Sequence, residues 1–265
     1  MSSARRTFRF LLLAANALLP PVLIFTLFQN VWLCLATATA HSLLLYAIIH
    51  PRCTWLGPLI ASFPTENREV WLTLDDGPDP HQTRQLAHEL QKRGARATFF
   101  VIGNKIAAYP EIATALIACG HTIGLHTQTH PQWTFWCAGR RRLQREIEDG
   151  LATLKSLGIT TNLFRSPVGH KPPALHGILS KNNLQLISWT ASARDGFGVM
   201  PETALKRVLK NTKPGSIILL HEGRPHSVET IFLVVDTLLQ QGYRFCIPPS
   251  FKQRTLQLDE NRYYI

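Results

Sequence analysis

Val70-Trp71-Leu72-Thr73-Leu74-Asp75-Asp76-Gly77-Pro78-Asp79-Pro80 is the stretch from which the chain is read. A short run of strand-forming residues ends at two adjacent carboxylates, and Gly77-Pro78 then turns the chain. Two neighbouring acids repel unless a cation or a shared proton relieves them. A metal on one and a proton on the other satisfies both. An exposed acidic turn at a strand end explains these eleven residues equally well, so the rest of the chain has to separate the two readings.

From Val70 onward strand-like and helix-like segments alternate. Strands are predicted at 70–74, 97–102, 121–125, 162–164, 185–189, 216–220 and 243–247. Helices are predicted at 83–93, 110–119, 143–157, 173–182, 201–212 and 228–241. The clearest helix carries Leu143, Ile147, Leu151, Leu154 and Leu157 on one stripe, with Arg145, Glu146, Glu148, Asp149 and Lys155 assigned elsewhere, and Gly158 stops it. The repeated βα pattern points to an α/β fold with a parallel barrel.

With 265 residues, 45% of them hydrophobic, the chain has room for one large domain and an appendage. The net charge of +11 favours anionic partners. Nucleic acid is the weaker choice, because no zinc finger or RNA-binding signature occurs and no basic run exceeds Arg140-Arg141-Arg142. Cys34, Cys53, Cys119, Cys137 and Cys246 are scattered and form no CxxC pair, which suits a reducing compartment.

Residues 1–50 read as a membrane anchor. Arg5, Arg6 and Arg9 precede the uncharged run Phe10–Phe28, Gln29-Asn30 interrupts it, and Val31–Ile49 is again uncharged. Either run, as a helix of roughly 28 Å, matches a bilayer core. Pro20-Pro21 is expected to kink the first. A hairpin of two spans, with Arg52 and the leading arginines on one side, puts the rest of the chain in the cytosol at the inner (plasma) membrane. One span with an interfacial segment would put it in the periplasm. A cleaved signal peptide, with Ala38-Thr39-Ala40 as its cleavage site, fits less well because the apolar region is too long. Residues 51–69 read as a linker and 70–265 as the catalytic domain.

Several polar groups fall just past strand ends, where a βα barrel carries its active site: Asp75 and Asp76, His126 and His130, Arg165, Asp195 and His221. Thr73–Pro78 (TLDDGP), His126–His130 (HTQTH), Arg165–Gly169 (RSPVG) and Leu219–His221 (LLH) resemble, in order, the motifs of the NodB homology domain. These are the polysaccharide deacetylases of carbohydrate esterase family four, and the resemblance covers about residues 70 to 247. It implies a distorted (β/α) barrel, usually of seven units. It implies Asp75 as general base and Asp76, His126 and His130 as ligands of a divalent metal, zinc by default, with Co2+, Ni2+ or Fe2+ as alternatives. It implies His221 as the acid for the leaving amine, Arg165 as the residue that orients Asp75, and Val168, with Pro167, Trp189 and Leu219, at the oxyanion and substrate positions.

The chain departs from the family at two motifs. Ser192 stands about where many members carry the acid that pairs with the motif-three arginine. Asp195 can serve instead, and the partner of Arg165 stays open. Val168 replaces a common aromatic. Trp133, Phe135 and Trp136 form either a sugar platform or packing, and Glu222, Arg224 and His226 either line the site or make a solvated loop. The expected substrate is an N-acetylated glycan near the membrane: a lipid-linked sugar on the cytosolic side, peptidoglycan or an exported polysaccharide on the other. Two alternatives keep the same residues: an amide or ester hydrolase of a non-sugar or lipid metabolite, and a catalytically weak membrane-bound glycan-binding protein.

Overall fold

The computed structural model describes residues 3–26 and 31–251. Two helices, α1 (Ser3–Thr26) and α2 (Val31–Ile49), precede the barrel. The strands are β1 (Glu69–Gly77), β2 (Ala97–Val101), β3 (Thr122–Leu125), β4 (Leu163–Phe164), β5 (Gln185–Leu186), β6 (Ala191–Ser192), β7 (Ile217–His221) and β8 (Arg244–Phe245). Between and after them lie α3 (Thr83–Lys92), α4 (Gly103–Ala108), α5 (Pro110–Ala118), α6 (Arg140–Ser156), α7 (Leu175–Lys181), α8 (Pro201–Asn211) and α9 (Ser227–Gln240).

All named strand pairs are parallel, in the order β5-β4-β3-β2-β1-β7-β6, with β8 pairing the start of β1. The edge strands β5 and β6 are consecutive in the chain and do not pair. The result is a half-barrel open between them. The run expected as a strand over 185–189 pairs only at Gln185 and Leu186. α4 and the two-residue β6 carried no readable period in the sequence.

Alternation along β1 decides which residues reach the interior. Leu72 and Leu74 point outward into the core formed with the helices, beside Leu86, Leu90, Phe99 and Ile123. Burying each such side chain contributes about 1.5–3 kcal/mol. Trp71 points inward with Phe100, Leu163, Ile187 and Ile217. Above it Thr73 donates to the Ile218 carbonyl at 2.7 Å, and Trp71 Nε1 donates to Thr98 at 2.8 Å. Asp75 stands at the top of this inward column.

The segment before β1 spans the gap in the barrel. Ile60 bridges Ile187, just after β5, and Ser62 bridges Ser216, just before β7. α2 is, among the described residues, the helix long and apolar enough to cross a membrane, with a mean hydropathy of 1.7. Pro20-Pro21 lie within α1. The end of the first apolar run, Leu27 and Phe28, and the Gln29-Asn30 break fall outside the described residues, as does the tail of the expected catalytic domain after residue 251. Asn16 of α1 donates to the Ala40 carbonyl of α2 at 3.2 Å. The far end of α2 is anchored on the barrel, because Ala47 and Ile48 pack with Cys53 and Leu56 and the Ile48 carbonyl accepts the Lys171 N–H at 2.8 Å.

Candidate active site

In a regular strand Asp75 and Asp76 would face opposite sides. A bulge prevents this. The β1–β2 register slips between Asp75 and Gly77, and Asp76 takes φ 73°, a left-handed conformation that side-chain-bearing residues seldom adopt. Both carboxylates therefore enter the same site. Thr127 (φ 65°), His130 (φ 55°) and Val168 (φ 56°) share this conformation, so backbone strain gathers at the mouth of the barrel.

Asp76 Oδ1 lies 3.1 Å from His130 Nε2 and 3.5 Å from His126 Nε2, and the three ligand atoms lie within 4.8 Å of one another. Atoms each about 2.0–2.2 Å from one tetrahedral cation stand roughly 3.3–3.6 Å apart, close to the two Asp76–histidine distances. His126 Nδ1 is 2.8 Å from the Arg165 carbonyl, which fixes Nε2 as the atom facing Asp76. Burial and the neighbouring His126 push His130 down to about 3, so it is neutral, as a metal ligand must be. Burial raises the Asp76 carboxyl, but hydrogen bonding and charge from His126, together with His130 and His221, outweigh it and hold the group well below the usual carboxylate range. The residues fit a divalent metal.

Arg165 is fully buried. Its Nη1 donates to Asp75 Oδ1 at 2.8 Å and to Thr73 Oγ1 at 2.7 Å, while Nε and Nη2 donate to the Ile187 and Ser188 carbonyls. The guanidinium lies 4.3 Å from the Phe100 ring centroid. Among the described residues the carboxylate that pairs with Arg165 is Asp75. Asp195 does not pair with Arg165 but with His221, whose Nδ1 is 2.7 Å from Asp195 Oδ1 and whose backbone N–H donates to Oδ2. Burial lowers the His221 imidazole; the hydrogen bond and charge of Asp195, with Asp75 and Asp76, outweigh that and leave it raised.

A cavity of about 630 Å³ gathers Asp75, Asp76, His126, His130 and His221, with Val168, Trp189 and Leu219 on its walls. Pro167 is buried and is not among the residues that line it. Of the three aromatics after His130, Phe135 is core, while Trp133 and Trp136 are exposed and do not line the cavity.

One contributor escaped the sequence reading, and two that it left open, Arg224 and Glu222, are placed by the fold. Glu146, assigned to the polar side of α6, is buried. Its carboxylate accepts the Thr129 N–H at 2.9 Å and the Thr129 hydroxyl at 2.5 Å, which clamps the loop between the two histidines. Its place three residues after Leu143, on the buried stripe, was the available signal. Arg224 donates to Asp76 Oδ2 at 2.6 Å, leaving Oδ1 to face the histidines. Glu222 is buried against Gly77 and bonded to Thr83; its burial pushes its carboxyl up to about 8.

Comparison with known proteins agrees with this geometry. The polysaccharide deacetylase family model matches residues 63–187. A peptidoglycan-N-acetylglucosamine deacetylase of Bacillus cereus is 32% identical over 187 residues, 69% of this chain and 87% of the relative. A chitooligosaccharide deacetylase of Azorhizobium caulinodans is 32% identical over 169 residues, 61% of this chain and 77% of the relative. A solved structure of a peptidoglycan N-acetylglucosamine deacetylase in complex with 4-naphthalen-1-yl-N-oxidanyl-benzamide superposes with a TM-score of 0.67 at 29% identity, covering 74% of this chain and 95% of the other. On the motifs, the half-barrel and the identity over most of a relative's length, the chain belongs to the polysaccharide deacetylases of carbohydrate esterase family four.

Proposed function

We propose that the chain is a metal-dependent N-deacetylase that hydrolyses the acetamide of an amino sugar in a membrane-proximal glycan. The observation that carries this is the meeting, in one cavity, of an arginine-held carboxylate, an Asp-His-His ligand set and an aspartate-held imidazole. Asp76, His126 and His130 would hold the cation, zinc by default, which when bound supplies Lewis acidity at the acetamide carbonyl and makes water more acidic.

The remaining work falls to the chain's own groups. Asp75 Oδ1 is occupied by Arg165, so Oδ2, 3.8 Å from His126 Nε2, is the oxygen that takes the proton from the attacking water. Water oxygen bonds to the carbonyl carbon. The C–N bond breaks as His221 Nε2 delivers a proton to the departing nitrogen, giving acetate and a free amine. Asp195 holds His221 Nδ1, which leaves Nε2 to face substrate. The left-handed turn at Val168 aims backbone toward the cavity, where an N–H can stabilise the oxyanion. Arg224 is the positioning residue: it holds Asp76 Oδ2, so that Oδ1 would be the oxygen offered to the cation. α2 seats the domain against a bilayer, and the flanking arginines favour the cytosolic side of the inner membrane.

The test is acetate release from N-acetylglucosamine-type substrates, lipid-linked and polymeric, with and without a chelator. Release that chelation abolishes and a divalent metal restores is expected; no release from any of them overturns the reading. The His221–Asp195 pair adds a pH prediction. A raised imidazole stays protonated, and contributes its stabilisation, below the ordinary histidine range, and loses both as pH rises through the raised value. Asp195→Asn removes the larger raising contributions and leaves only those of Asp75 and Asp76 against burial, so the alkaline limb of kcat/KM is expected to move to lower pH. An unmoved limb would place the acid elsewhere.

A further inference from the structure

Where α2 ends, the chain drops onto the open side of the half-barrel. The Pro51 carbonyl accepts the Ser188 hydroxyl at 3.0 Å, and the His50 carbonyl accepts Lys171 Nζ. Pro51 lies so close to Gly169 that a Cβ there would sit 3.0 Å from the proline Cβ and 2.8 Å from Trp189. A second cavity of about 200 Å³ forms at this junction, lined among others by His50, Arg52, Thr190, Ser192, Arg194 and Asn211. It shares Trp189, Ser192 and Arg194 with the active-site cavity.

Its chemistry is one-sided. No acidic residue lines it. Arg52 and Arg194 are exposed, and neither pairs with a carboxylate among the described residues. His50 Nδ1 and Thr190 Oγ1 are buried polar atoms without a hydrogen-bond partner, an arrangement that costs free energy until a ligand satisfies it. Ser192 presents a hydroxyl there, with no charge to repel an anion. Two guanidinium groups, a hydroxyl and an imidazole suit phosphate oxygens. On one side lies the deacetylation site. On the other lies α2, with Trp32, Leu35, Leu43, Leu45 and Ile49 exposed along it.

We propose that this junction is a phosphate subsite, and that the substrate is an N-acetylated amino sugar joined through phosphate or diphosphate to a membrane lipid. The sugar enters the active-site cavity, the phosphate rests between Arg52 and Arg194, and the lipid follows α2 into the bilayer. This rests on the deacetylase reading for the sugar but not for the phosphate, so binding and turnover test them separately.

Binding is measured with the full-length protein in neutral detergent micelles. The probes are a short-chain isoprenoid diphosphate, the same lipid carrying N-acetylglucosamine, inorganic pyrophosphate and phosphatidylglycerol. Arg52→Gln/Arg194→Gln is expected to bind both isoprenoid diphosphates at least tenfold more weakly than the unsubstituted chain, and each probe lipid to bind more tightly than pyrophosphate or phosphatidylglycerol. Unchanged binding in the variant overturns the subsite. Equal competition by phosphatidylglycerol assigns the site to bulk lipid and overturns the substrate class, as does equal binding of pyrophosphate for the lipid part. In turnover, the ratio of kcat/KM for the lipid-linked sugar to that for neutral chitotriose should fall at least tenfold in the variant; a constant ratio overturns the proposal. If the unsubstituted chain binds the lipid diphosphates as expected but releases acetate from nothing, the deacetylase reading fails and the subsite stands.

Discussion

Asp75→Asn is expected to lower kcat for acetate release by about 10²–10⁴-fold, the usual contribution of a positioned proton acceptor, with bound metal left at the level of the unsubstituted chain. Asparagine keeps the shape of the side chain and can still accept from Arg165, whose Nη1 lies 2.8 Å from Oδ1, but it cannot take a proton from water. His126→Ala should differ in kind. It removes one of three ligand atoms gathered within 4.8 Å and also empties the hydrogen bond to the Arg165 carbonyl, so metal and activity should fall together. Measuring metal content by mass spectrometry and acetate by an enzymatic assay separates the two roles. Loss of metal in Asp75→Asn would move Asp75 into the ligand set, and full activity in either variant would overturn the assignment of both residues.

The part of this site legible in the sequence is the part carried by residues next to strand ends. Asp75, Asp76, His126, Arg165 and His221 follow strand-like runs closely, and parallel strands bring such ends to one mouth. What could not be read is what depends on backbone geometry or on distant partners. Regular alternation would have sent Asp75 and Asp76 to opposite faces, and only the bulge at Asp76 turns them together. The contact of Arg165 with Asp75, 90 positions away, was implied by the resemblance; what stayed open was an acid to replace the one missing at Ser192, and Asp195, the candidate offered by proximity in the chain, goes to His221 instead. Glu146 looked like one more charge on an amphipathic helix; its burial follows from the loop that Thr129 hangs on it. The fold class followed from alternation alone, but the opening between β5 and β6 did not, since two-residue strands leave almost no periodic trace. The segment from Pro51 to Arg68 read as a linker because its prolines and glycine break any period, yet its backbone bridges the two sides of that opening.

Arg165→Met is expected to destabilise the fold by about 3–5 kcal/mol, because it leaves a buried carboxylate without its counter-charge. In a domain of this size that is a fall in Tm of roughly 10 °C. The guanidinium is 0% exposed and joins four groups from two places: Asp75 and Thr73 on β1, and the Ile187 and Ser188 carbonyls beyond β5. It therefore ties the first strand of the barrel to the edge beside the gap, where strand pairing is weakest. Burial pulls the guanidinium's pKa down while Asp75 pulls it up, so each charge makes the other tolerable. That reciprocity is what a double-substitution cycle detects. Asp75→Asn/Arg165→Met should be more stable than Arg165→Met alone, since the isolated charge is gone, though Thr73 and the two carbonyls still lack their donor. If the double variant is as unstable as the sum of the singles, the contribution of Arg165 is packing between Phe100 and Trp189, whose ring centroids lie 4.3 and 5.6 Å from it, and the ion pair is incidental. Arg165→Lys decides the remaining point: a single ammonium can meet Asp75 but cannot also reach both carbonyls, so it should recover part of the stability and little of the activity, because holding Asp75 at one angle needs the planar fork.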